Sequence, residues 1–183
     1  LASITHGDIN SSFTTESVKE NNYIIYYPQT NIEAVDARTI NDLEYFKSKC
    51  KEFETDFAGV DYKALESGEG LLSLVYFISG YNKEGVVVNQ DVFTRVFREE
   101  TGEELYRNGV FKEPFYEIAS EKMRAEITKE VEDIKEFDTT SELFLQNTSP
   151  QGENFERFAF DEKGVIVYTE SSTLFNKPQK SFV

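Results

Sequence analysis

Tyr23-Ile24-Ile25-Tyr26-Tyr27-Pro28, followed between Ile32 and Phe57 by Val35, Ile40, Leu43, Phe46, Cys50, Phe53 and Phe57, is the stretch that decides the fold class of this 183-residue chain. Its first six residues are aromatic or β-branched and close on a proline, the make-up of a strand that Pro28 ends. In the second part the apolar residues recur mostly at steps of three and four, which puts them on one face of an α-helix. Asp36, Asp42, Glu44, Lys47, Lys49 and Lys51 fill much of the remainder, so the helix is amphipathic and lies on a sheet. Cys50 belongs to the apolar stripe and reads as core packing.

Outward from this pair, residues 1–21 are polar and rich in Ser and Thr, without a convincing period, and read as a lead segment. Downstream, Gly59 and Ser67-Gly68-Glu69-Gly70 mark loops, and Leu71 to Ile78 is an apolar, β-rich run that predicts a buried strand. Gly85-Val86-Val87-Val88 pairs with it across Gly80-Tyr81-Asn82-Lys83-Glu84. Asp91 to Glu99 alternates with its two arginines, Arg95 and Arg98, on opposite faces, as expected for an edge or partly covered strand, and Thr101-Gly102 supplies a turn. Pro114 suits the first turn of a second helix, along which Phe115, Ala119, Met123, Ile127, Val131 and Ile134 share a face. Asn147 to Gly152 is a turn-rich connection. Phe155 to Phe160 and Val165 to Thr169 then flank Asp161-Glu162-Lys163-Gly164 as a hairpin, with Phe158 and Phe160 on one face. Phe175 to Val183 reads as the lead into a further element. The expected class is α+β: two amphipathic helices packed on an antiparallel sheet, with a closing β-hairpin. Residues 22–183 form this module, as one core or as two subdomains, 22–88 and 89–183.

Composition narrows the function. A zinc hydrolase usually needs at least two imidazoles or several thiolates, and this chain offers only His6, in the polar lead, and Cys50. Catalysis by carboxylates or Ser/Lys groups remains open, but no spacing argues for it. Lys+Arg 19 against Asp+Glu 34 gives a net charge of -15, which opposes phosphate backbones and anionic lipid, so nucleic acid is not an expected partner. The same charge fits either a solvated surface or a cationic partner. With 39% hydrophobic residues there is material for a core. One cysteine allows no internal disulfide. The chain begins at Leu1, shows no signal peptide, and has no apolar run near the roughly 20 residues of a spanning helix, so a trimmed or mature fragment is expected.

Motifs that carry chemistry elsewhere are weak here. Glu66-Ser67-Gly68-Glu69-Gly70 lacks the Lys-Ser/Thr ending of a phosphate-binding loop and reads as a turn. Glu99-Glu100 and Glu103-Glu104 are carboxylate pairs that read as solvated surface. Tyr23, Tyr26, Tyr27, Tyr76 and Tyr81 offer stacking faces to sugar rings, but their place in expected strands favours sheet packing. Asn147-Thr148-Ser149 has glycosylation spacing ahead of Pro150, and no calcium loop is present. No catalytic, cofactor-binding or metal residue is assigned, no cofactor is expected, and the ligand-binding residues stay undetermined.

Several segments together carry a resemblance. Asn22-Tyr23-Ile24-Ile25-Tyr26-Tyr27-Pro28 with the helix through Ile40-Asn41 and Phe46 resembles the start of the extracellular non-catalytic region that precedes the catalytic domain in Gram-positive peptidoglycan N-acetylglucosamine deacetylases. Asn89-Gln90-Asp91-Val92-Phe93, Thr101-Gly102-Glu103-Glu104-Leu105 and Gly109-Val110-Phe111 are similar to that region's strand, Thr-Gly turn and helix approach. Phe155 to Tyr168 is similar to its closing hairpin, so the likeness runs in order over most of residues 22–183. The same module family resembles the ectodomain of an anti-sigma factor that recognises lysozyme. Two departures stand out. Tyr81-Asn82-Lys83-Glu84-Gly85 replaces the Gly/Ala-His-Gly loop of many relatives, and the Thr-Phe-Asp-Asp-Gly and paired-His zinc motifs of the catalytic domain are absent. The resemblance implies a non-enzymatic, extracellular or wall-associated α+β module of a larger zinc-dependent deacetylase. It would be anchored by a segment outside this chain, with peptidoglycan or a downstream catalytic domain as partner. The alternative it implies is a sensor ectodomain that binds a basic protein such as lysozyme.

Overall fold

The computed structural model describes residues 13–131, 138–169 and 179–182. Five strands form the main sheet in the spatial order β1-β2-β3-β4-β5: β1 Thr14–Glu20, β2 Tyr23–Gln29, β3 Phe57–Glu66, β4 Leu71–Tyr81 and β5 Val87–Arg98. Helix α1, Glu33–Glu52, connects β2 to β3, which run parallel, and every other neighbouring pair in the sheet is antiparallel. After the short helix α2, Arg107–Val110, come α3, Glu113–Glu130, and α4, Glu142–Asn147. A second sheet follows, in the order β6 Phe158–Asp161, β7 Gly164–Thr169 and β8 Gln179–Phe182. This is the expected α+β fold, two substantial helices on sheet with a late hairpin, β6–β7, which β8 extends to three strands.

Four layers result. Val35, Leu43, Phe46 and Cys50 of α1 press on Ala58, Val60, Tyr62, Leu72, Leu74, Tyr76 and Ile78 from one face of the main sheet. On the other face Val75 and Val92 meet Ala159, Ile166 and Tyr168. The period of two then turns Phe158 and Val167 the opposite way, onto Tyr116, Ala119, Met123 and Ile127 of α3. Strand β6 lies at the edge of its sheet, and its outward N–H groups are not left bare. Phe158 N donates to Thr94 Oγ1 at 3.1 Å and Phe160 N to Ser73 Oγ at 2.8 Å, so hydroxyls on the main sheet take the place of a fourth strand.

Several expectations need correction. The polar lead, residues 1–21, contains strand β1, paired residue for residue with β2 from Thr14↔Gln29 to Glu20↔Tyr23. An edge strand with neither face deeply buried has no apolar alternation to betray it; only Val18 packs on the core. His6 lies outside the described residues. Helix α1 stops at Glu52, and Phe57 opens β3, with Gly59 buried inside that strand rather than in a loop. On α1, Ile40 is 51% exposed, and the buried face runs instead through Thr39 and Asp42. Both are polar because Thr39 Oγ1 lies 3.4 Å from Tyr76 Oη and Asp42 receives an arginine described below.

Pro28 does not end β2, which runs on to Gln29. Ala58 N donates to Asn22 O at 2.9 Å, and the parallel register runs only from Tyr23↔Ala58 to Ile25↔Val60. Even-numbered residues of β2 therefore point their backbone at β3, and Pro28 faces that side beyond the last pair, where a missing N–H costs no ladder bond. Residues 179–182 at the C-terminus form β8 on β7 rather than leading elsewhere, and the 88/89 boundary falls inside β5. Ile134 lies outside the described residues.

Burial raises five tyrosines, Tyr45 and Tyr62 among them, and three of the five most. The Tyr23 and Tyr168 phenols are pushed up from 10.0 to about 12, and Tyr76 is also raised, by desolvation in each case. A proton held more tightly in the folded state stabilises fully below the unfolded pKa of 10.0 and is lost as pH rises through the folded value of about 12. Alkaline titration should therefore show a late phase of phenolate absorbance, after the exposed tyrosines have ionised, that rises together with loss of circular dichroism across that window. Ionisation of all ten tyrosines in an intact fold would contradict the burial of these rings.

Candidate functional site

Two polar assemblies stand out, and they differ in how completely their atoms are partnered. The first joins α1, β5 and the segment after the Thr101-Gly102 turn. Arg95 of β5 grips Asp42 with Nε to Oδ2 at 3.0 Å and Nη2 to Oδ1 at 2.9 Å, while Nη1 reaches Glu104 Oε1 at 2.7 Å. Arg38 lies on the other side, 3.3 Å from Glu104 Oε2. Tyr106 Oη donates to the same oxygen at 2.9 Å, and the Arg95 guanidinium rests 4.5 Å from the Phe93 ring. Two cations and two carboxylates cancel, and every carboxylate oxygen is used. The cluster clamps helix to sheet.

Gly102 shapes the clamp. Its φ of +69° suits glycine, and a Cβ there would stand 2.8 Å from Ala34 Cβ on α1. The adjacent acids that looked alike in sequence thus separate. Glu104 turns in to Arg95, and Glu103 stays exposed beside Arg98 at 3.2 Å.

The second assembly is a cleft of about 360 Å³ between the end of α4, the 3-10 turn Gly152–Phe155 and β7, lined by Asn147, Glu153, Asn154, Glu156, Arg157 and Tyr168. Its wall is held from behind. Asn154 Nδ2 donates to Gln146 O and Ser149 O, both at 3.0 Å, and to Ser149 Oγ at 3.1 Å, which consumes the amide's donors and leaves Oδ1 as an acceptor. Arg107 Nη2 holds Glu156 Oε1 at 2.9 Å and passes so close to Gly152 that a side chain there would displace the guanidinium. Arg157 is anchored to Asp91 at 3.4 Å. The two hydroxyls of the Asn147-Thr148-Ser149 motif are spent on this scaffold, since Ser149 Oγ donates to Gln146 O and Thr148 Oγ1 to Phe144 O.

Other residues singled out in the sequence resolve as structure. Tyr23 and Tyr76 are fully buried, whereas Tyr26, Tyr27 and Tyr81 are half-buried. Ser67 Oγ accepts from Glu69 N and Leu71 N, both at 3.3 Å, so Glu66 to Gly70 is the turn joining β3 and β4. Cys50 is buried and desolvation pushes its thiol up to about 11, which keeps it protonated at neutral pH. Among the described residues no three His, Cys, Asp or Glu are grouped to hold a metal ion, and no helix is long and apolar enough to cross a membrane. The cleft was invisible in the sequence, because it is assembled from a turn-rich connection and one strand end. Asn147, Asn154 and Gly152 were its only local signals.

Truncating Arg95 to Met should cost roughly 2–4 kcal/mol, because Asp42 and Glu104 lose three charge-assisted hydrogen bonds and keep only the more exposed Arg38, 3.8 and 3.3 Å away. Urea unfolding checks this, and a loss below about 1 kcal/mol would mean the cluster behaves as a solvated surface pair.

No family model matches the chain, and no curated protein matches it. Among solved structures, the crystal structure of a DUF3298-family member from Bacteroides fragilis is similar, with a TM-score of 0.50 over 93% of this chain and 89% of that one, at 12% identity. At that identity the likeness establishes a shared fold and nothing about activity.

Proposed function

We propose that this chain is a non-catalytic, extracytoplasmic module of a cell-wall polysaccharide deacetylase, acting as spacer or wall-positioning domain. The observation that carries the reading is where the family-like segments fall. Tyr23 to Pro28 is β2, Ile40 to Phe46 lies on α1, Asn89 to Phe93 is in β5, Thr101 to Leu105 holds the clamp, and Phe155 to Tyr168 spans the hairpin. The resemblance thus runs through the scaffold that builds both cores, in chain order, which supports a positioning module. Sedimentation of the purified chain with bacterial sacculi tests the reading. The chain should pellet with sacculi in physiological salt, and a chain left wholly in the supernatant overturns wall positioning.

A second reading has its own observation. Glu99, Glu100 and Glu103 are exposed around the turn after β5, on a chain of net charge -15, and such a surface attracts a strongly basic protein. Calorimetric titration with a lysozyme at physiological salt decides it. Micromolar or tighter binding favours a sensor ectodomain, and silence removes that reading.

A further inference from the structure

The cleft between α4, the 3-10 turn and β7 holds polar groups that the protein leaves unused. Tyr168 is only 4% exposed, yet it lines the cleft and its hydroxyl has no hydrogen-bond partner among the described residues. The ring is buried between the sheets while the hydroxyl reaches the cleft, where it is open to a ligand or to solvent. Glu153 and the Asn147 side-chain amide likewise engage nothing among the described residues, and Asn154 keeps Oδ1 free while its N–H groups are tied back. The charged neighbours differ: Glu156 has its arginine in Arg107, and Arg157 has its carboxylate in Asp91. What remains on offer is one uncompensated carboxylate, amide oxygens, and one phenolic O–H. That set is rich in acceptors and calls for a compact ligand carrying several donors, one of them cationic. The volume of about 360 Å³ lies at the small end of ligand pockets and suits one sugar ring.

We infer that this cleft binds a hexosamine unit with a free amino group, its ammonium on Glu153 and its hydroxyls on Tyr168 and the Asn147 and Asn154 amides. An N-acetylated unit would place a neutral amide where the carboxylate waits, and it binds more weakly. The inference rests on the wall-module reading only for the source of the sugar, a deacetylated stretch of wall glycan. In that setting the module would hold an enzyme on glycan that has already reacted.

The test is calorimetric titration and amide NMR of the full chain with a glucosamine tetramer and, separately, an N-acetylglucosamine tetramer, at physiological salt. The glucosamine oligomer should bind with shifts at Asn154 and Tyr168, and Glu153→Gln should weaken it by about tenfold or more, the loss of one charge-assisted hydrogen bond. Tyr168→Phe, which keeps the ring's packing, should weaken it less. The double variant Glu99→Gln/Glu100→Gln, on the turn after β5, should leave affinity unchanged. Equal weakening by that double variant would reduce the effect to general attraction of a cation to an acidic surface. That result, equal binding of the acetylated oligomer, or absence of shifts at the cleft each overturns the inference. Glucosamine binding at the cleft by a chain that ignores sacculi would retain this site and remove the wall reading; binding to sacculi without glucosamine binding would do the reverse.

Discussion

Everything in this structure leans on β4. Leu72, Leu74, Tyr76 and Ile78 face α1, Leu71 and Val75 face the second sheet and α3, and nine of the strand's eleven residues are buried. Each such aliphatic or aromatic side chain contributes about 1.5–3 kcal/mol on burial, so one strand supplies a large share of two cores at once. Its backbone is committed on both sides, to β3 from Phe57↔Tyr81 to Glu66↔Leu72 and to β5 from Leu71↔Arg98 onward. A strand buried on both faces and paired on both edges cannot slip without exposing one core, which fixes the register of its neighbours.

The remaining difficulty of such a fold is at the edges. Beyond Val60, β3 has lost its β2 partner, and the Tyr62 N–H turns to the carboxylate of the preceding residue, Asp61, at 2.8 Å. On β5 the same device recurs, with Val92 N donating to Asp91 Oδ1 at 2.8 Å. Farther along, Leu105 N donates to Val96 O and Arg98 N to Glu103 O, both near 2.9 Å, so the segment after the Thr-Gly turn covers the rest of that edge. That segment also delivers Glu104 to Arg95, which is how edge protection and the ionic clamp come to be one feature. Edges closed by acidic side chains resist pairing with other chains, and they account for part of the negative charge without any ligand.

Against this background the cleft is the exception. The clamp satisfies its carboxylates completely and so stabilises; the cleft satisfies its walls from behind and leaves Glu153, Tyr168 and the amide oxygens facing inward. The buried Tyr23 hydroxyl and Arg38 Nε also lack hydrogen-bond partners, but only in the cleft do a carboxylate, a phenol and amide oxygens line one cavity.

The sequence by itself determined the elements whose signal is local. Apolar steps of three and four gave both long helices, Pro114 marked the start of α3, the apolar run from Leu71 gave β4, and Asp161 to Gly164 gave the hairpin turn, where Gly164 has a φ of 138°. It also determined the acidic character and the lack of imidazole and thiol pairs. Only the tertiary structure decided the rest. Strand β1 has no apolar period because an edge strand buries little, and β3 was hidden behind Gly59, which a sheet can bury between two paired neighbours. Thr39 and Asp42 displaced Ile40 from the buried face because Tyr76 and Arg95, 37 and 53 residues away, supply their partners. Likewise Tyr168 meets Asn147 and Glu153 only when β7 folds against the turn after α4. Periodicity reports which side of an element is buried, but which polar groups find partners depends on residues brought together from distant parts of the chain.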